Sequence, residues 1–292
     1  MTNAGQPRVA ITGASGFVGS RLAEHFARAS WSVVRLSRSA AEGDLSIPFH
    51  LGEEVNSEDL VSRGIDALVH CAYDFRPLTW AEIRRINVEG SRKLLTSARQ
   101  AGVERIVVLS TISAFPGCRS LYGRAKLEIE AVAMQVGASV LRPGLIYGED
   151  VEASAGGMFA ALIRSARGSV VPLIDGGSDP QYLLHIDDLF MVVQRLCRSD
   201  GPTTNRPVVV ASSKPWPMRD LVVELAHRQG RKPRFVSVPW RAVWLVLKAA
   251  EAAGLRPAFR SDSVISLVNQ DRHPDLSSLQ ELGVGARDFG GR

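Results

Sequence analysis

The segment VAITGASGFVGS, residues 9–20, combines an apolar run, three glycines at intervals of three residues and the start of a helical pattern. This spacing predicts a strand that ends at Thr12, a tight turn at Gly13, a helix that begins near Gly16, and close packing at Gly19. The N–H groups at the start of such a helix attract phosphate. Because glycines also recur in ordinary turns, it is the position between a first strand and a first helix that favours nucleotide binding over a purely structural turn.

Short apolar runs alternate with longer segments of helical period along the first half of the chain. Strands that are apolar on both faces and separated by helices predict a parallel sheet covered on two sides, which is a doubly wound α/β fold. The predicted strands are Arg8–Thr12, Ser32–Leu36, Ala67–His70, Arg105–Ser110 and Ser139–Arg142, and the predicted helices are Gly16–Ala29, Glu82–Ala101 and Tyr122–Val136.

The regular alternation fades after about residue 150, where glycines and prolines separate shorter elements. We therefore expect a nucleotide-binding domain over residues 1–150, to which a strand and a helix return around 180–212. Residues 151–292 are expected to form mainly a smaller substrate-binding lobe. Open α/β sheets bind ligands at the carboxyl ends of their strands, so the lobe is expected beside that edge.

The end of the second predicted strand, VVRLSRSA, bears on the choice of nucleotide. An acid about 20 residues after the glycines would accept hydrogen bonds from the ribose 2′-hydroxyl of NAD. Ser37 and Arg38 stand there instead, and the first acids, Glu42 and Asp44, come later. A guanidinium pairs well with a 2′-phosphate. We therefore expect NADP, with NAD as the alternative if Arg35 and Arg38 are only solvated charges.

Tyr122 and Lys126 lie four residues apart on a predicted helix and therefore share one face. An ammonium near a phenol favours the phenolate, so the pKa of Tyr122 is expected to fall toward the working range, where the phenol can act as an acid or a base. Such pairs occur by chance in many helices. This one opens the helix that follows VVLSTIS, a strand ending in hydroxyl side chains, and that position favours a catalytic role.

The chain resembles the extended branch of the short-chain dehydrogenases/reductases, which includes the NAD(P)-dependent epimerases and dehydratases of nucleotide sugars. The segments that carry the resemblance are, in order, TGASGFVGS, DALVHCAY, INVEGSRKLLTSARQAGVERIVVLST, YGRAK, VLRPGLIYG and LLHIDDL. The resemblance implies a Rossmann domain with a smaller C-terminal substrate lobe and hydride transfer at a secondary alcohol or ketone. It also implies a homodimer formed through the helices that begin near Glu82 and Tyr122.

The resemblance further implies roles for individual residues. Tyr122 would move the proton, Lys126 would support it and bond the nicotinamide ribose, and Thr111 would bind the reacting oxygen, with Ser110 and Ser113 as register alternatives. One of the implied cofactor contacts, Asn87, could instead be a scaffold group that bonds the backbone, and both roles are open. The implied contacts are Gly13, Ser15, Gly16, Phe17, Val18, Arg38, Ala72, Asn87, Pro143 and Ile146.

The substrate side is less closely defined. The resemblance implies that arginines of the C-terminal lobe bind a substrate diphosphate, with Arg260 and Arg272 as the expected residues and Arg219 as a further candidate. Only ten residues separate Thr111 from Tyr122, fewer than is usual in the extended family. Ten residues can still bring both hydroxyls together, but the contraction removes part of the usual substrate wall and leaves the identity of the substrate open.

Composition excludes several other classes. Lys and Arg are scattered, with a formal net charge of +5, and do not form the dense basic groove of a nucleic-acid-binding protein, so we expect no nucleic-acid partner. Cys71, Cys118 and Cys197 are too far apart along the chain for a zinc site or a disulfide framework, which indicates the cytoplasm and no metal. No apolar run reaches the length of about 20 residues that spans a bilayer.

Together these observations predict an NAD(P)-dependent oxidoreductase acting on a nucleotide-linked sugar. It would be a ketosugar reductase if the cofactor is released each turn, and an epimerase or dehydratase if it is retained. The alternatives are a non-catalytic NADP-binding sensor or assembly subunit, and a reductase of a hydrophobic alcohol with an apolar pocket and no phosphate clamp. Trp240, Trp244 and Leu247 fall at helical spacing and are expected in the core or in a subunit contact.

Overall fold

A computed structural model of the chain describes residues 5–38, 45–148, 157–257 and 259–290. The predicted domain boundary near residue 150 and the acids Glu42 and Asp44 lie outside the described residues. The strands are β1 (Arg8–Thr12), β2 (Ser32–Ser37), β3 (Ser46–Pro48), β4 (Ala67–His70), β5 (Arg105–Leu109), β6 (Ser139–Pro143), β7 (Leu145–Tyr147), β8 (Val170–Ile174), β9 (Pro180–Gln181), β10 (Leu183–His185), β11 (Val208–Val210), β12 (Trp216–Pro217) and β13 (Arg234–Val238).

Helices separate most of these strands, and two shorter turns lie among them, a π-helical turn at Arg84–Val88 and a 3-10 turn at Asp175–Gly177. The helices are α1 (Phe17–Arg28), α2 (Ser57–Ser62), α3 (Trp80–Ile83), α4 (Glu89–Gln100), α5 (Leu121–Gln135), α6 (Met158–Ala166), α7 (Ile186–Cys197), α8 (Met218–Arg228), α9 (Trp240–Ala252), α10 (Ser261–Val268) and α11 (Ser277–Glu281).

In the described part of the chain, seven strands form one sheet in the order β11–β6–β5–β4–β1–β2–β3, and all its pairings are parallel. From β1 the chain runs outward through β2 and β3, then crosses to the other side of β1 to begin β4. The register aligns Thr12 with Leu36 on one side and with His70 on the other. This reversal of direction is where open α/β sheets bind ligands.

The sheet is buried on both faces because alternate residues of its strands point to opposite sides. Val9 and Ile11 of β1 pack in one apolar cluster with α1 and α7, whereas Ala10 packs in a second cluster with α2, α4 and α5. Two helical layers therefore enclose the sheet, and the prediction of a doubly wound α/β fold is confirmed.

A third apolar cluster forms a smaller lobe from α6, β8 and α8, and Phe289 packs in it. Paired strands there make short sheets, β10 with β7, β12 with β9 and β13 with β8. Leu279, Leu282 and Val284, near the end of the chain, return to the cluster of β1. None of the helices in the described ranges combines the length and apolar character needed to cross a membrane.

Candidate active site

The turn between β1 and α1 is built around glycines. Gly13 has a φ of +66°, in the left-handed region that favours glycine, and a Cβ there would lie 3.0 Å from the backbone nitrogen of Ala72. A Cβ on Gly19 would lie 2.2 Å from the carbonyl oxygen of Gly13. The helix, the turn and the loop after β4 therefore approach one another more closely than side chains would allow.

The start of α1 fits the diphosphate of a dinucleotide. Ser15 and Gly16 are exposed, and within the described residues no side chain caps the helix at Gly16 and no acid lies in its first turn. The side chains of Phe17 and Val18 pack against apolar clusters. Backbone N–H groups and the positive end of the helix dipole are thus free of competing acidic groups, and this turn would hold the phosphates of a nicotinamide cofactor.

A buried chain of hydrogen bonds ties the ends of β1 and β4 together. Thr12 Oγ1 accepts from the backbone N–H groups of Cys71 and Ala72, both at 3.1 Å, so it donates its own proton to His70 Nδ1 at 2.7 Å. Nε2 of His70 must then carry the ring proton, which it donates to Ser91 Oγ at 2.8 Å. Burial and the charge of a nearby lysine lower the pKa of His70 to about 3, so the ring stays neutral.

Asn87, on the π-helical turn, is fully buried and bonds the backbone of Asp74, accepting from its N–H at 2.7 Å and donating to its carbonyl at 3.0 Å. The π-helical turn divides the predicted continuous helix Glu82–Ala101 into α3 and α4. Such a turn contains one inserted residue, and here Asn87 faces the loop after β4. Of the two roles open to Asn87, the contacts are those of a scaffold group. A contact between Asn87 and the cofactor stays a prediction.

Arg38 stands exposed at the end of β2. Hydrogen bonds from Arg76 lower the pKa of Asp74, and the positive charge of Arg38 adds a smaller effect in the same direction. Arg38 and the loop after β4 therefore border the same edge of the sheet, on either side of the glycine turn.

The short segment between β5 and α5 folds into two consecutive turns. The N–H of Ala114 bonds the carbonyl of Thr111, and the N–H of Cys118 bonds the carbonyl of Phe115, both at 3.0 Å. They bring the chain back so that the hydroxyl of Thr111 lies beside the phenol of Tyr122, close enough to favour its charged form. Ten residues are thus enough to place the two hydroxyls together.

The protonation of Tyr122 differs from the sequence-based expectation. Burial raises the pKa of Tyr122 to about 12, and the neighbouring hydroxyl of Thr111 opposes this rise only in part. The prediction of a phenol with a lowered pKa is wrong for this arrangement, because desolvation of the phenolate outweighs the groups that favour it. Tyr122 is a neutral phenol near pH 7.

Lys126 lies four residues after Tyr122 on α5, and its side chain is buried. Its Nζ donates to the carbonyl of Leu109, the last residue of β5, at 2.7 Å and lies 5.1 Å from the centre of the Tyr73 ring. Burial lowers the pKa of Lys126 to about 8, against smaller opposing effects from Cys71 and Glu130. The ammonium is therefore fixed between the sheet and an aromatic face, and most of it stays charged near neutral pH.

The loop after β6 adjoins this site. Pro143 ends β6, and its carbonyl accepts the N–H of Ile112, the residue after Thr111, at 3.0 Å. Ile146 lies on β7, where it aligns with Leu184 of β10. The two residues expected to flank a nicotinamide ring thus lie at the end of β6 and on β7, beside the loop that carries Thr111.

A model of the NAD dependent epimerase/dehydratase family matches residues 9–211, more than half of the chain. The chain belongs to this family. It is an enzyme of the oxidoreductase type found there, and the predicted resemblance to the extended short-chain dehydrogenases/reductases is confirmed.

Proteins related to this chain include a ceramide reductase of Caulobacter vibrioides, 28% identical over 79% of this chain and 73% of the relative. A 2′-dehydrokanamycin reductase of Streptomyces kanamyceticus is 28% identical over 96% of this chain and 82% of the relative. The structure of MoeE5 in complex with UDP-glucuronic acid and NAD superposes with a TM-score of 0.72 at 23% identity, covering 97% of this chain and 94% of the other. The last likeness shows the fold alone.

Beyond Tyr122 and Lys126, the same helix carries a buried ion pair that sequence reasoning missed. Glu130 accepts hydrogen bonds from Arg142 at 2.8 and 2.6 Å and from Ser110 at 2.5 Å. Ser110 is therefore a support for this pair rather than a second oxygen-binding hydroxyl. Glu130 lies four residues after Lys126, on the same helix face, and this spacing was the available signal.

A second missed residue holds the first turn of α5. Ser120 Oγ accepts the N–H of Gly123 at 3.1 Å, and the carboxylate of Asp262 accepts the N–H of Leu121 at 2.7 Å and of Tyr122 at 3.0 Å. All three N–H groups at the helix start are bonded. Asp262 lies on α10, 140 residues further along the chain than Tyr122, so no local pattern predicts this contact.

The two arginines expected at a substrate diphosphate lie apart in the epimerase/dehydratase fold. Arg260 donates to the carbonyls of Phe75 and Pro77 and lies 3.8 Å from Glu251. Arg272 pairs with a buried aspartate at 2.9 Å. Arg272 also lines a cavity of about 510 Å³ with Arg119, Asp175, Ser178, Asp179, Trp240, Trp244, Ile265, Val268 and Asn269.

Proposed function

We propose that the protein is an NAD(P)H-dependent reductase that converts a ketone to a secondary alcohol, with Tyr122 as the acid. The observation that carries this proposal is the Thr111 hydroxyl beside the phenol of Tyr122, one helical turn before Lys126 and at the edge of the sheet that holds the glycine turn. These groups can bind a carbonyl oxygen and deliver a proton to it.

The protonation state supports the direction. With a pKa of about 12, Tyr122 carries its proton at neutral pH, as an acid for reduction must. Oxidation of an alcohol would instead require the phenolate, which burial disfavours.

The cofactor, when bound, supplies the hydride to the carbonyl carbon. The hydroxyls of Thr111 and Tyr122 orient the carbonyl oxygen, and Tyr122 transfers its phenolic proton to that oxygen as negative charge develops there. The ammonium of Lys126, whose pKa is about 8, then stabilises the phenolate until solvent returns the proton. An epimerase or dehydratase would use the same residues with a retained cofactor.

We propose NADP as the preferred cofactor because the exposed Arg38 ends β2, where a 2′-phosphate would need a positive partner. Fluorescence titration with NADPH and NADH tests this choice. NADPH is expected to bind more than about tenfold tighter and to lose that margin in Arg38→Ala. Tightly retained NAD would overturn the preference and favour an epimerase or dehydratase.

A nucleotide-linked sugar is the first substrate proposed. Arg119 and Arg272 both line the cavity of about 510 Å³, where their guanidinium groups could bind a diphosphate. The protein MoeE5, which has a similar fold, binds UDP-glucuronic acid. An apolar ketone is a second candidate, because Arg260 is engaged with backbone carbonyls and the rings of Tyr73 and Phe75 lie 5.0 and 5.5 Å from that of Tyr122. The relationship to a ceramide reductase agrees with this candidate.

Kinetics with both ketone classes test the proposal. Tyr122→Phe is expected to lower kcat by at least about a hundredfold while cofactor affinity is kept, since only the transferable proton is lost. Tyr182→Phe, which removes a hydroxyl bonded to the carbonyl of Arg272, is the matched control. Cofactor binding without turnover of any ketone or alcohol would instead indicate a non-catalytic sensor or assembly subunit.

A homodimer and a cytoplasmic location complete the proposal. The dimer would form through α4 and α5, and analytical ultracentrifugation tests it. The three free cysteines agree with a reducing compartment.

A further inference from the structure

Helix α9 packs differently from the other long helices. Of its residues, all of which the structure describes, none is fully buried, and Trp240, Trp244 and Leu247 are only half-buried. Of the two expected placements, the core is therefore wrong, and a subunit contact stays a prediction. The reason is the position of α9 at the outside of the small lobe, where α10 is the element it packs on most extensively.

The outer face of α9 is apolar and open to solvent. Leu245 and Val246 expose 62% and 68% of their surface, and the short side chains of Ala242 and Ala249 share this face. Leu255, just after the helix, is 61% exposed. Exposed apolar residues gathered on one element, rather than scattered singly, are typical of a docking surface.

Positive charge is concentrated in the same segment. Residues 231–260 contain seven Lys or Arg and one Glu, a formal charge of +6, whereas the whole chain carries +5, so the remaining residues sum to −1. The one acid, Glu251, accepts hydrogen bonds from the backbone N–H and the hydroxyl of Ser261. Six of the seven basic side chains are exposed, namely Arg231, Lys232, Arg234, Arg241, Lys248 and Arg256.

We propose that α9 and the basic segment before it dock on an anionic membrane surface. An exposed apolar helix face flanked by exposed cations is complementary to acyl chains below a layer of anionic headgroups. A second copy of the chain is a poorer partner, because a two-fold contact would place the +6 segment against an identical +6 segment. The proposal is independent of which ketone is reduced.

The docked arrangement follows from the order of side chains on α9. Leu245 and Val246 would enter the acyl boundary, while Arg241 and Lys248, also on the exposed face, would extend their charged ends to the headgroups. Trp240 and Trp244, on the opposite side of the helix, line the cavity of about 510 Å³. The same helix would thus separate the cavity from the membrane surface.

Vesicle sedimentation with the chain of residues 1–292 tests the proposal. Binding is expected to vesicles of phosphatidylcholine with about one third phosphatidylglycerol, to fall at high salt, and to be absent from pure phosphatidylcholine. Replacing Arg231, Lys232 and Arg234 by glutamine is expected to weaken binding about a hundredfold, since each charge near such a surface contributes about fivefold. Arg28→Gln, at an exposed arginine far along the chain, is the charge control.

A second variant, with both Leu245 and Val246 replaced by glutamate, is expected to abolish binding, whereas Val223→Glu, at an exposed apolar residue of α8, is expected to leave it unchanged. Circular dichroism of each variant is the check that it is folded. Equal binding to anionic and neutral vesicles, or full binding by the glutamate variant, would overturn the proposal. So would a homodimer in vesicle-free buffer that the glutamate variant converts to monomer, because α9 would then be a subunit interface.

Discussion

Replacing Asp262 by alanine removes two acceptors from the start of α5 at once. Its carboxylate bonds the N–H groups of Leu121 and Tyr122 at 2.7 and 3.0 Å. A hydrogen bond to a charged group contributes about 1.5–3 kcal/mol, and the half-buried position of Asp262 favours the lower end, so the change is expected to cost about 3 kcal/mol. Asp262→Asn keeps one oxygen and is expected to cost about half as much.

The assay pairs urea unfolding with ketone reduction. Because Tyr122 belongs to the turn that loses its acceptors, Asp262→Ala is expected to lower kcat and to leave the cofactor dissociation constant unchanged. Asp220→Ala, which removes an exposed acid from the first turn of α8, is the control and is expected to change both quantities little. A cost below about 0.5 kcal/mol together with an unchanged kcat would refute the view that α10 positions the catalytic turn.

Three further changes probe other parts of the site. Gly19→Ala places a Cβ 2.2 Å from a backbone oxygen and is expected to abolish cofactor binding in a fluorescence titration, whereas Gly285→Ala, with open space around it, should be neutral. The pKa of His70 is lowered to about 3, so between pH 6 and 5 this ring is mostly protonated in the unfolded chain and neutral in the folded chain. The free energy of unfolding should therefore fall by about 1.4 kcal/mol per pH unit, and a flat urea midpoint over this interval would contradict the neutral ring. Reductase activity should decline above about pH 8 as Lys126 loses its proton, and Glu130→Gln should move this decline to lower pH, because the Glu130 charge supports the ammonium. An unmoved pH profile would show that Glu130 acts on packing alone.

The fold could be predicted because its signals are local. Runs such as Arg8–Thr12 and Ala67–His70 are strands with the bounds expected, since unbroken apolar character marks a strand buried on both faces. The three-residue β3 (Ser46–Pro48) gave no such signal. The π-helical turn at Arg84–Val88 was hidden within an otherwise helical pattern, because periodicity does not register one inserted residue.

The site was predictable only as far as motifs reach. The Thr111–Tyr122 contact agrees with the expected constellation, but the pKa of Tyr122 depends on burial, which spacing along the chain does not encode. Asp262 and the exposed face of α9 depend on tertiary packing. Apolar residues at helical spacing show that a helix has an apolar face, and they do not show which element covers that face.

The contact between Tyr122 and Asp262 also has a consequence for biosynthesis. The two residues are separated by 140 positions, so at about 5–20 residues per second a ribosome adds Asp262 roughly 7–28 s after Tyr122. During that interval the nascent sheet can assemble around β1, β4 and β5 while the first turn of α5 still lacks two of its acceptors. A cofactor-binding fold would therefore exist before the turn that carries Tyr122 is complete, and the synthesis of α10 would supply the missing acceptors.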